Sequence, residues 1–177
     1  VQVLLFGFVL STEIRNAAVA VLDPSKDAES VALTNKLISS GYFHLEKTLD
    51  SPAELDAAFR TGEIKMAIVF PPDFARSLSE PAAEHAPQTT LQLIGDASDP
   101  NTATTLIQYA NAIIVDYQQD KAIKSGVGHP SSFIVTQTRM RYNPEQKGVF
   151  SFVPGVMTLI LMLVSAMMTS ITIAREK

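Results

Sequence analysis

The residues best suited to chemistry in this sequence are carboxylates, histidines and arginines at separate points along the chain. Asp96, Asp99 and Asn101 fall within the stretch DASDPNT, and oxygen-bearing side chains so close together are able to ligate calcium. Helix capping is the stronger interpretation, because Asp99 followed by Pro100 is typical of a helix start. We therefore predict that Asp99 caps a helix and that this stretch binds no metal.

The histidines, serines and glycines give no support for catalysis. His44, His85 and His129 are far apart and share no H-x-x-x-H spacing. The absence of cysteine excludes a cysteine nucleophile and thiolate metal ligands. Neither the G-x-S-x-G of hydrolases nor the G-x-x-x-x-G-K-[ST] of phosphate-binding loops occurs. We predict no catalytic, metal-binding or cofactor-binding residue on this chain.

Arg139 and Arg141 are the two residues for which the sequence suggests a binding role. The stretch FIVTQTRMRYN has the pattern of a strand, so residues two positions apart share one face of it. Both arginines also lie close to a following apolar segment, where they would be able to contact anionic substrate or lipid head groups. Paired arginines on a solvated strand face are a commoner arrangement, and both interpretations stay open.

Two apolar segments flank these polar residues, and the second is long enough to cross a membrane. The sequence has no charged residue or histidine from Gly148 to Ala174, and residues 150–173 extend about 36 Å as a helix. This predicts a membrane span over residues 148–174. Its representative residues are Phe150, Val153, Pro154, Gly155, Leu159, Leu161 and Leu163. Residues 1–12 also lack charge but are too short to span, which predicts the end of a first membrane helix in a chain that is a fragment.

Residues 13–147 alternate between strand-like and helix-like patterns. The predicted order is β-α-β-α-β-α-β-α-β, an α/β domain whose mixed or parallel sheet of about five strands is covered by helices. This domain is inserted between the two membrane helices. The first helix is predicted to begin at Pro24, with Val31, Ala32, Asn35 and Ile38 on one face and Leu37 beside them. The second is predicted to have Ser51 as its N-cap, Glu54 at the third position and Gly62 at its end. The longest helix is predicted to bury Ala103, Leu106, Ile107, Ala110, Ile113, Ile114 and Tyr117.

Charge gives an orientation but no partner. Arg175 and Lys177 directly follow the predicted span, and cytoplasmic flanks carry an excess of Lys and Arg. Residues 175–177 are therefore predicted to start a cytoplasmic segment and residues 13–147 to lie outside the cytoplasm, although Arg141 and Lys147 reduce the contrast. The net charge is −4 and no basic stripe is present, which argues against nucleic acid as a partner.

The stretch RMRYNPEQKGVFSFVPG, with DASDPNTA before it and IAREK after it, resembles the permease subunits of type-2 ATP-binding-cassette exporters. The resemblance is to the bacterial branch with a large extracytoplasmic domain between the first two membrane helices. It covers the whole chain, through the FG at Phe6 and Gly7, then VAVLD, GYF and IVFPPDF.

Several expectations follow from this resemblance rather than from composition. It implies that about half of the protein is missing here, and that the whole forms a homodimeric or heterodimeric channel in the bacterial inner membrane. It implies a separate cytoplasmic ATPase, which uses the ATP, and a periplasmic accessory protein as a further partner. It also implies efflux of drugs, lipophilic ions or envelope components.

Three classes of function remain open at this stage. The leading one is an exporter subunit whose extracytoplasmic domain sits over the exit pathway and whose helices are coupled to the ATPase. The alternative is a membrane-anchored sensor whose extracytoplasmic domain binds a ligand. A membrane-bound enzyme ranks last, since no acid, base and nucleophile converge in the sequence. The sensor predicts a signalling domain after Lys177, whereas the exporter predicts further membrane spans.

Overall fold

The computed structural model describes residues 14–79, 89–124, 134–143, 145 and 149–175. The predicted first membrane helix and the predicted loops PAAEHAPQ and GVGHPSS, which contain His85 and His129, lie outside these residues. The predicted order of strands and helices is confirmed. It comprises β1 (Ala17–Leu22), α1 (Ala28–Ser39), β2 (Phe43–Leu49), α2 (Pro52–Thr61), β3 (Met66–Val69), α3 (Phe74–Ser79), β4 (Thr89–Asp96), α4 (Pro100–Lys124), β5 (Ile134–Arg141) and α5 (Val149–Arg175).

The five strands form one mixed sheet in the order β2-β1-β3-β4-β5. β1 is parallel to both β2 and β3, β4 is antiparallel to β3, and β5 is parallel to β4. The N-terminal ends of β1, β2 and β3 therefore meet the C-terminal ends of β4 and β5. We call this the anchored end of the sheet, because the chain leaves it towards α5.

Each face of the sheet has its own apolar core. Helices α1, α3 and α4 cover one face, with Leu33, Phe74 and Leu106 fully buried against Val19, Ile68 and Leu93. Helix α2 alone covers the other face, with Leu55 and Phe59 packed on Leu22 and Ile94. Burying apolar side chains on both faces is what stabilises the central strands, at about 25 cal/mol for each Å² removed from water.

Helix α1 differs from its prediction both in its start and in its buried face. It begins at Ala28 rather than Pro24, because Asp27 is the N-cap and accepts hydrogen bonds from the backbone N–H groups of Glu29 (3.0 Å) and Ser30 (2.8 Å). The predicted face of Val31, Ala32, Asn35 and Ile38 is wrong, and Val31 is 50% exposed. The residues that are buried are Ser30, Leu33 and Leu37.

The two leucines decide that orientation, since they remove more apolar surface from water than the predicted set would. Ser30 lies beside them because its hydroxyl donates to the buried carboxylate of Asp23. Asp23 also accepts from the backbone N–H groups of Ser25 (3.1 Å) and Lys26 (3.0 Å), and this turn occupies the residues that were predicted to be helical.

The predictions for α2 and α4 are confirmed more closely. The Ser51 hydroxyl accepts from the Glu54 N–H at 3.4 Å, Pro52 is the first helical residue, and Gly62 ends α2 at a φ of 73°. That φ lies in the left-handed region, which glycine adopts without the steric cost of a side chain. On α4 the predicted apolar face is buried except for Ile113, which is partly buried.

A polar network joins α1 to α4 at their outer surface. Glu29 accepts hydrogen bonds from the Tyr117 hydroxyl (2.5 Å) and from Lys121, and Lys36 pairs with Asp116 (2.7 Å) and Asp120. Partial burial opposes the ionisation of Glu29, but the hydrogen bonds from Lys121 and Tyr117 outweigh it and hold the pKa of Glu29 below its ordinary value. Burial, with the hydrogen bond to Glu29, raises the pKa of Tyr117.

We expect the stability of the Glu29→Gln variant to decrease less than that of the parent as the pH is lowered. A carboxylate with a lowered pKa stabilises the folded state above its ordinary pKa of 4.5, and this contribution is lost as the pH falls through the lowered value. The midpoint of thermal unfolding of the purified protein, measured between pH 7 and pH 3, should fall less steeply for the variant than for the parent. Identical slopes would contradict the pairing.

Candidate functional site at the anchored end of the sheet

The anchored end brings together the two places where the chain enters and leaves the α/β domain. β1 begins at Ala17, close to the predicted first membrane helix, and β5 ends at Arg141, with α5 beginning at Val149. β1 and β5 are three strand spacings apart in the sheet, which is about 14 Å.

Backbone hydrogen bonds cross this end of the sheet from one side to the other. The N–H of Ala17 donates to Tyr42 O (2.8 Å), the N–H of Lys65 to Ala18 O (2.9 Å), and the N–H of Asp96 to Lys65 O (3.0 Å). The N–H of Ala97 then donates to the Arg141 carbonyl at 3.0 Å. These bonds fix the distance between the start of β1 and the end of β5.

The two arginines of β5 share one face of the strand, as predicted, but the structure gives them different surroundings. Arg141 forms an ion pair with Asp56 of α2, with an N to O distance of 2.5 Å, and its guanidinium lies 5.7 Å from the centre of the Phe59 ring. Arg139 is exposed and makes no ion pair with any residue that the structure describes. Arg139 is therefore solvated, whereas Arg141 packs against α2, and contact of either arginine with anionic substrate or lipid stays a prediction.

A shallow cleft of about 470 Å³ lies next to Arg141 at the same end. Its charges are mixed, because the Lys65 ammonium is 3.8 Å from the Asp96 carboxylate, which is 9% exposed. Such a pairing reduces the attraction of the cleft for a free anion. Its lining residues are Phe59, Arg60, Thr61, Gly62, Lys65, Asp96, Ser98 and Tyr142.

Arg141→Gln should destabilise the protein more than Arg139→Gln. We expect the Arg141 change to cost about 1 kcal/mol, since it removes a partly exposed ion pair and a cation–π contact. Arg139→Gln should change the free energy of unfolding by less than about 0.5 kcal/mol, as is usual at the surface. Thermal unfolding of the two purified variants provides the comparison. A larger loss for the Arg139 variant would contradict these assignments.

The other candidate residues have structural roles. Asp99 precedes α4, and its carboxylate accepts from the N–H groups of Asn101 (3.1 Å) and Thr102 (3.3 Å) and from the Thr102 hydroxyl (2.6 Å). The predicted cap is therefore confirmed, and these hydrogen bonds, above all that of the Thr102 hydroxyl, lower the pKa of Asp99. His44 lies on β2 between the Asn16 carbonyl and Glu46. Within the described ranges no three His, Cys, Asp or Glu residues cluster as a metal site.

Helix α5 has the length and composition of a membrane span. Within Phe152–Arg175 an 18-residue stretch has a mean hydropathy of 2.2, and none of that stretch is buried against the described domain. Of the representative residues, Leu159, Leu161 and Leu163 are more than half exposed, and the side chain of Phe150 lies outside the described part. An apolar helix with no protein around it needs a membrane or another protein surface to cover it.

The polar groups of α5 are largely satisfied within the helix. The hydroxyls of Thr158, Thr169 and Thr172 donate to the carbonyls of Pro154 (2.9 Å), Ser165 (2.8 Å) and Met168 (2.9 Å). Hydroxyls bonded in this way are tolerated in hydrocarbon. Pro154 lies inside the helix, which begins at Val149, rather than in its first turn.

Sequence reasoning found both arginines and α5 but missed the partners of Arg141. Asp56 and Phe59 belong to α2, and only the folding of α2 onto the sheet brings them to β5. No local pattern signals such a contact. An α/β domain followed along the chain by one long exposed apolar helix is typical of a domain of a membrane protein.

Comparison with known proteins gives the family. Residues 1–177 match the family described as ABC-2 family transporter protein, so the chain belongs to the ABC-2 transporter family. It is similar to the probable multidrug ABC transporter permease YbhR of Escherichia coli (strain K12), at 30% identity over 177 residues. It is also similar to YbhS of the same organism, which carries the same description, at 30% identity over 173 residues.

The chain spans about half the length of these curated relatives. The match to YbhR covers 100% of this chain and 46% of that protein, and the match to YbhS covers 97% and 44%. The crystal structure of a domain of a putative ABC type-2 transporter from Thermotoga maritima MSB8 is similar with a TM-score of 0.44 and 17% identity. That similarity covers 70% of this chain and 86% of the Thermotoga chain.

Proposed function

We propose that this chain is part of a permease subunit of an ABC exporter in a bacterial inner membrane. In this proposal residues 1–12 end the first membrane helix, residues 13–147 form an extracytoplasmic domain, and residues 148–174 are the second membrane helix. The observation that carries it is α5, a bare apolar helix in a chain that matches the ABC-2 family over all 177 residues. A separate cytoplasmic ATPase hydrolyses ATP, and a second permease subunit completes the channel.

The anchored end suggests how the domain takes part in transport. Its hydrogen-bonded strands hold the two chain connections about 14 Å apart, so a movement of one membrane helix is passed to the other and to the whole domain. A domain tied in this way, over the exit of a dimeric pathway, changes position when the partner ATPase moves the helices. Drugs or lipophilic ions are the substrate class that agrees with the description of the relatives as multidrug permeases.

Cysteine labelling in intact cells tests the membrane topology. This chain has no cysteine, so Lys47→Cys on the exposed side of β2 and Lys177→Cys after α5 each add one thiol to it. We expect a membrane-impermeant maleimide to label the first variant in intact cells and the second only after the cells are permeabilised. The parent protein is the control for thiols elsewhere in the full-length chain. Labelling of both variants from outside would overturn the topology.

Removing the domain tests its place in transport. Deletion of residues 20–135, with the two predicted membrane helices rejoined, should abolish export while the protein still reaches the membrane. The measurement is accumulation of a fluorescent lipophilic cation in cells that produce the permease and its ATPase, compared with cells that lack both. Unchanged export by the deletion variant would show that the domain is peripheral to the pathway.

A further inference from the structure

The described sheet has two outer strands, β2 and β5, and within the described residues it is β2 that carries features which hinder pairing with another chain. β2 has an irregularity opposite Val19 and Ala20, where Glu46 is skipped in the register, and it carries Glu46 and Lys47 beside this bulge. Bulges and charges of this kind prevent further strand pairing. β5 pairs with β4 in unbroken register from Ile134 to Arg141, and its first five residues are uncharged.

A side-chain amide already occupies the first position on the outer side of β5. Gln118 of α4 accepts a hydrogen bond from the Ile134 N–H (3.2 Å), and its own amide N–H donates to the Ile134 carbonyl (3.5 Å). A glutamine amide has the same donor and acceptor as a peptide group. This contact shows that Ile134 directs both of its backbone groups away from β4 and that a peptide-like group fits against them.

Alternation along the strand then identifies the backbone groups that face outwards. Thr136, Thr138 and Met140 direct their N–H and C=O groups to the same side as Ile134, because successive residues of a strand alternate. The carbonyl of Arg141 faces the other way, towards β4, since it accepts a hydrogen bond from the N–H of Ala97, the residue that follows β4. Among the residues that the structure describes, only Gln118 pairs with this outer side of the strand.

We propose that the outer side of β5, from Thr136 to Met140, receives an extended segment of another polypeptide as a sixth strand, with a carboxylate opposite Arg139. Strand addition would satisfy the outward backbone groups of three residues. Arg139 is exposed on the face beside them and has no ion pair in the described structure, whereas Asp56 already neutralises Arg141. A carboxylate on the added strand would lie next to Arg139 across the new strand pair.

A second copy of this chain does not fit against the outer side of β5. This conclusion rests on the proposed membrane topology. Two copies in one membrane have their anchored ends towards that membrane, so their β5 strands run in the same direction. In a symmetric pair of parallel strands, equivalent residues lie opposite each other, so each N–H would face another N–H. Symmetric pairing of β5 with itself therefore needs antiparallel strands. The occupant is therefore an extended segment of a different polypeptide, with a carboxylate opposite Arg139.

Binding of a defined peptide to the purified full-length protein tests this inference. The probe is a fluorescent seven-residue peptide of alternating threonine and valine with a central glutamate. Two matched peptides carry lysine in place of glutamate, or N-methyl groups on alternate backbone nitrogens. We expect the glutamate peptide to bind about tenfold more tightly than either matched peptide. The lysine peptide loses the charge pair with Arg139, and the N-methylated peptide loses several backbone donors.

Variants of β5 locate the binding. Thr138→Pro removes one outward N–H, which an outer strand tolerates, and should weaken binding about tenfold. Thr138→Val keeps the backbone donor and should leave binding unchanged. Arg139→Gln should remove the preference for glutamate over lysine. Equal binding to the proline and valine variants, or no binding of any peptide, would overturn the inference.

Two other outcomes identify a different occupant and also overturn it. Disulfide-linked dimers of a Thr138→Cys variant, formed under mild oxidation in membranes, would show that two copies meet at β5. Loss of binding to phosphatidylglycerol vesicles in Arg139→Gln, without any peptide binding, would assign this arginine to lipid. The cysteine labelling of Lys47→Cys and Lys177→Cys is independent of all these measurements, so failure of the topology is recognised separately.

Discussion

Leu163→Arg is expected to prevent α5 from inserting into the membrane. Leu163 lies at the centre of the apolar stretch Phe152–Arg175 and is 57% exposed. An arginine at the centre of a membrane helix costs about 2.5–3.5 kcal/mol, which shifts the balance between inserted and non-inserted helix by roughly a hundredfold. In a background with Lys177→Cys, the cysteine should become accessible to an impermeant maleimide in intact cells, and export should be lost.

Val153→Arg is the matched control for this change. Val153 lies at the start of the same apolar stretch, where a long arginine side chain is able to reach the membrane surface with its charged group. The orientation of residue 177 should therefore stay as in the parent. Equal effects of arginine at positions 153 and 163 would contradict a membrane around α5, because a helix packed in protein has no dependence on membrane depth.

Phe70→Ala is expected to have the largest effect on the stability of the α/β domain. Phe70 is 1% exposed, directly follows β3, and its ring lies 5.0 Å from that of Phe74 in an edge-to-face arrangement. Truncating a buried phenylalanine costs about 3–5 kcal/mol, a large part of the roughly 5–15 kcal/mol that stabilises a typical domain. The thermal unfolding midpoint of the purified protein should fall by many degrees, and protein levels in cells should fall with it.

Leu45→Ala is the control for an apolar truncation on an outer strand. Leu45 is 40% exposed on β2, so its removal leaves no closed cavity and should cost less than about 1 kcal/mol. Similar falls in midpoint for the Phe70 and Leu45 variants would contradict the packing of Phe70. The packing of Phe70 also accounts for the stretch IVFPPDF. Its two prolines end β3, and the phenylalanines on either side of them pack against each other in the core.

Much of the fold follows from local patterns because each pattern has a local physical cause. Ser51, Pro52 and Gly62 set the ends of α2 through capping and backbone conformation, and the structure confirms all three. The same reasoning placed Asp99 as the cap of α4. It failed for the buried face of α1, which the packing of Leu33 and Leu37 decides.

The surroundings of the candidate site residues depend more strongly than the helix ends do on contacts between residues that are far apart in the sequence. Sequence analysis identified Arg139 and Arg141 as a pair, because a strand places alternate residues on one face. The difference between them arises from α2, which reaches Arg141 through Asp56 and Phe59 but has no described contact with Arg139. Helix packing on a sheet is a property of the assembled domain, so no local pattern separates the two arginines.

The sequence by itself determined the apolar helix, the α/β repeat and the absence of cysteine chemistry, since each depends on residue type and spacing alone. Tertiary structure decided the strand order, the antiparallel position of β4, and the position of β5 as an outer strand of the described sheet. These features depend on which strands pair across long stretches of chain. Which strands pair depends on the total apolar area that the two cores bury. That total cannot be derived from any single segment of the sequence.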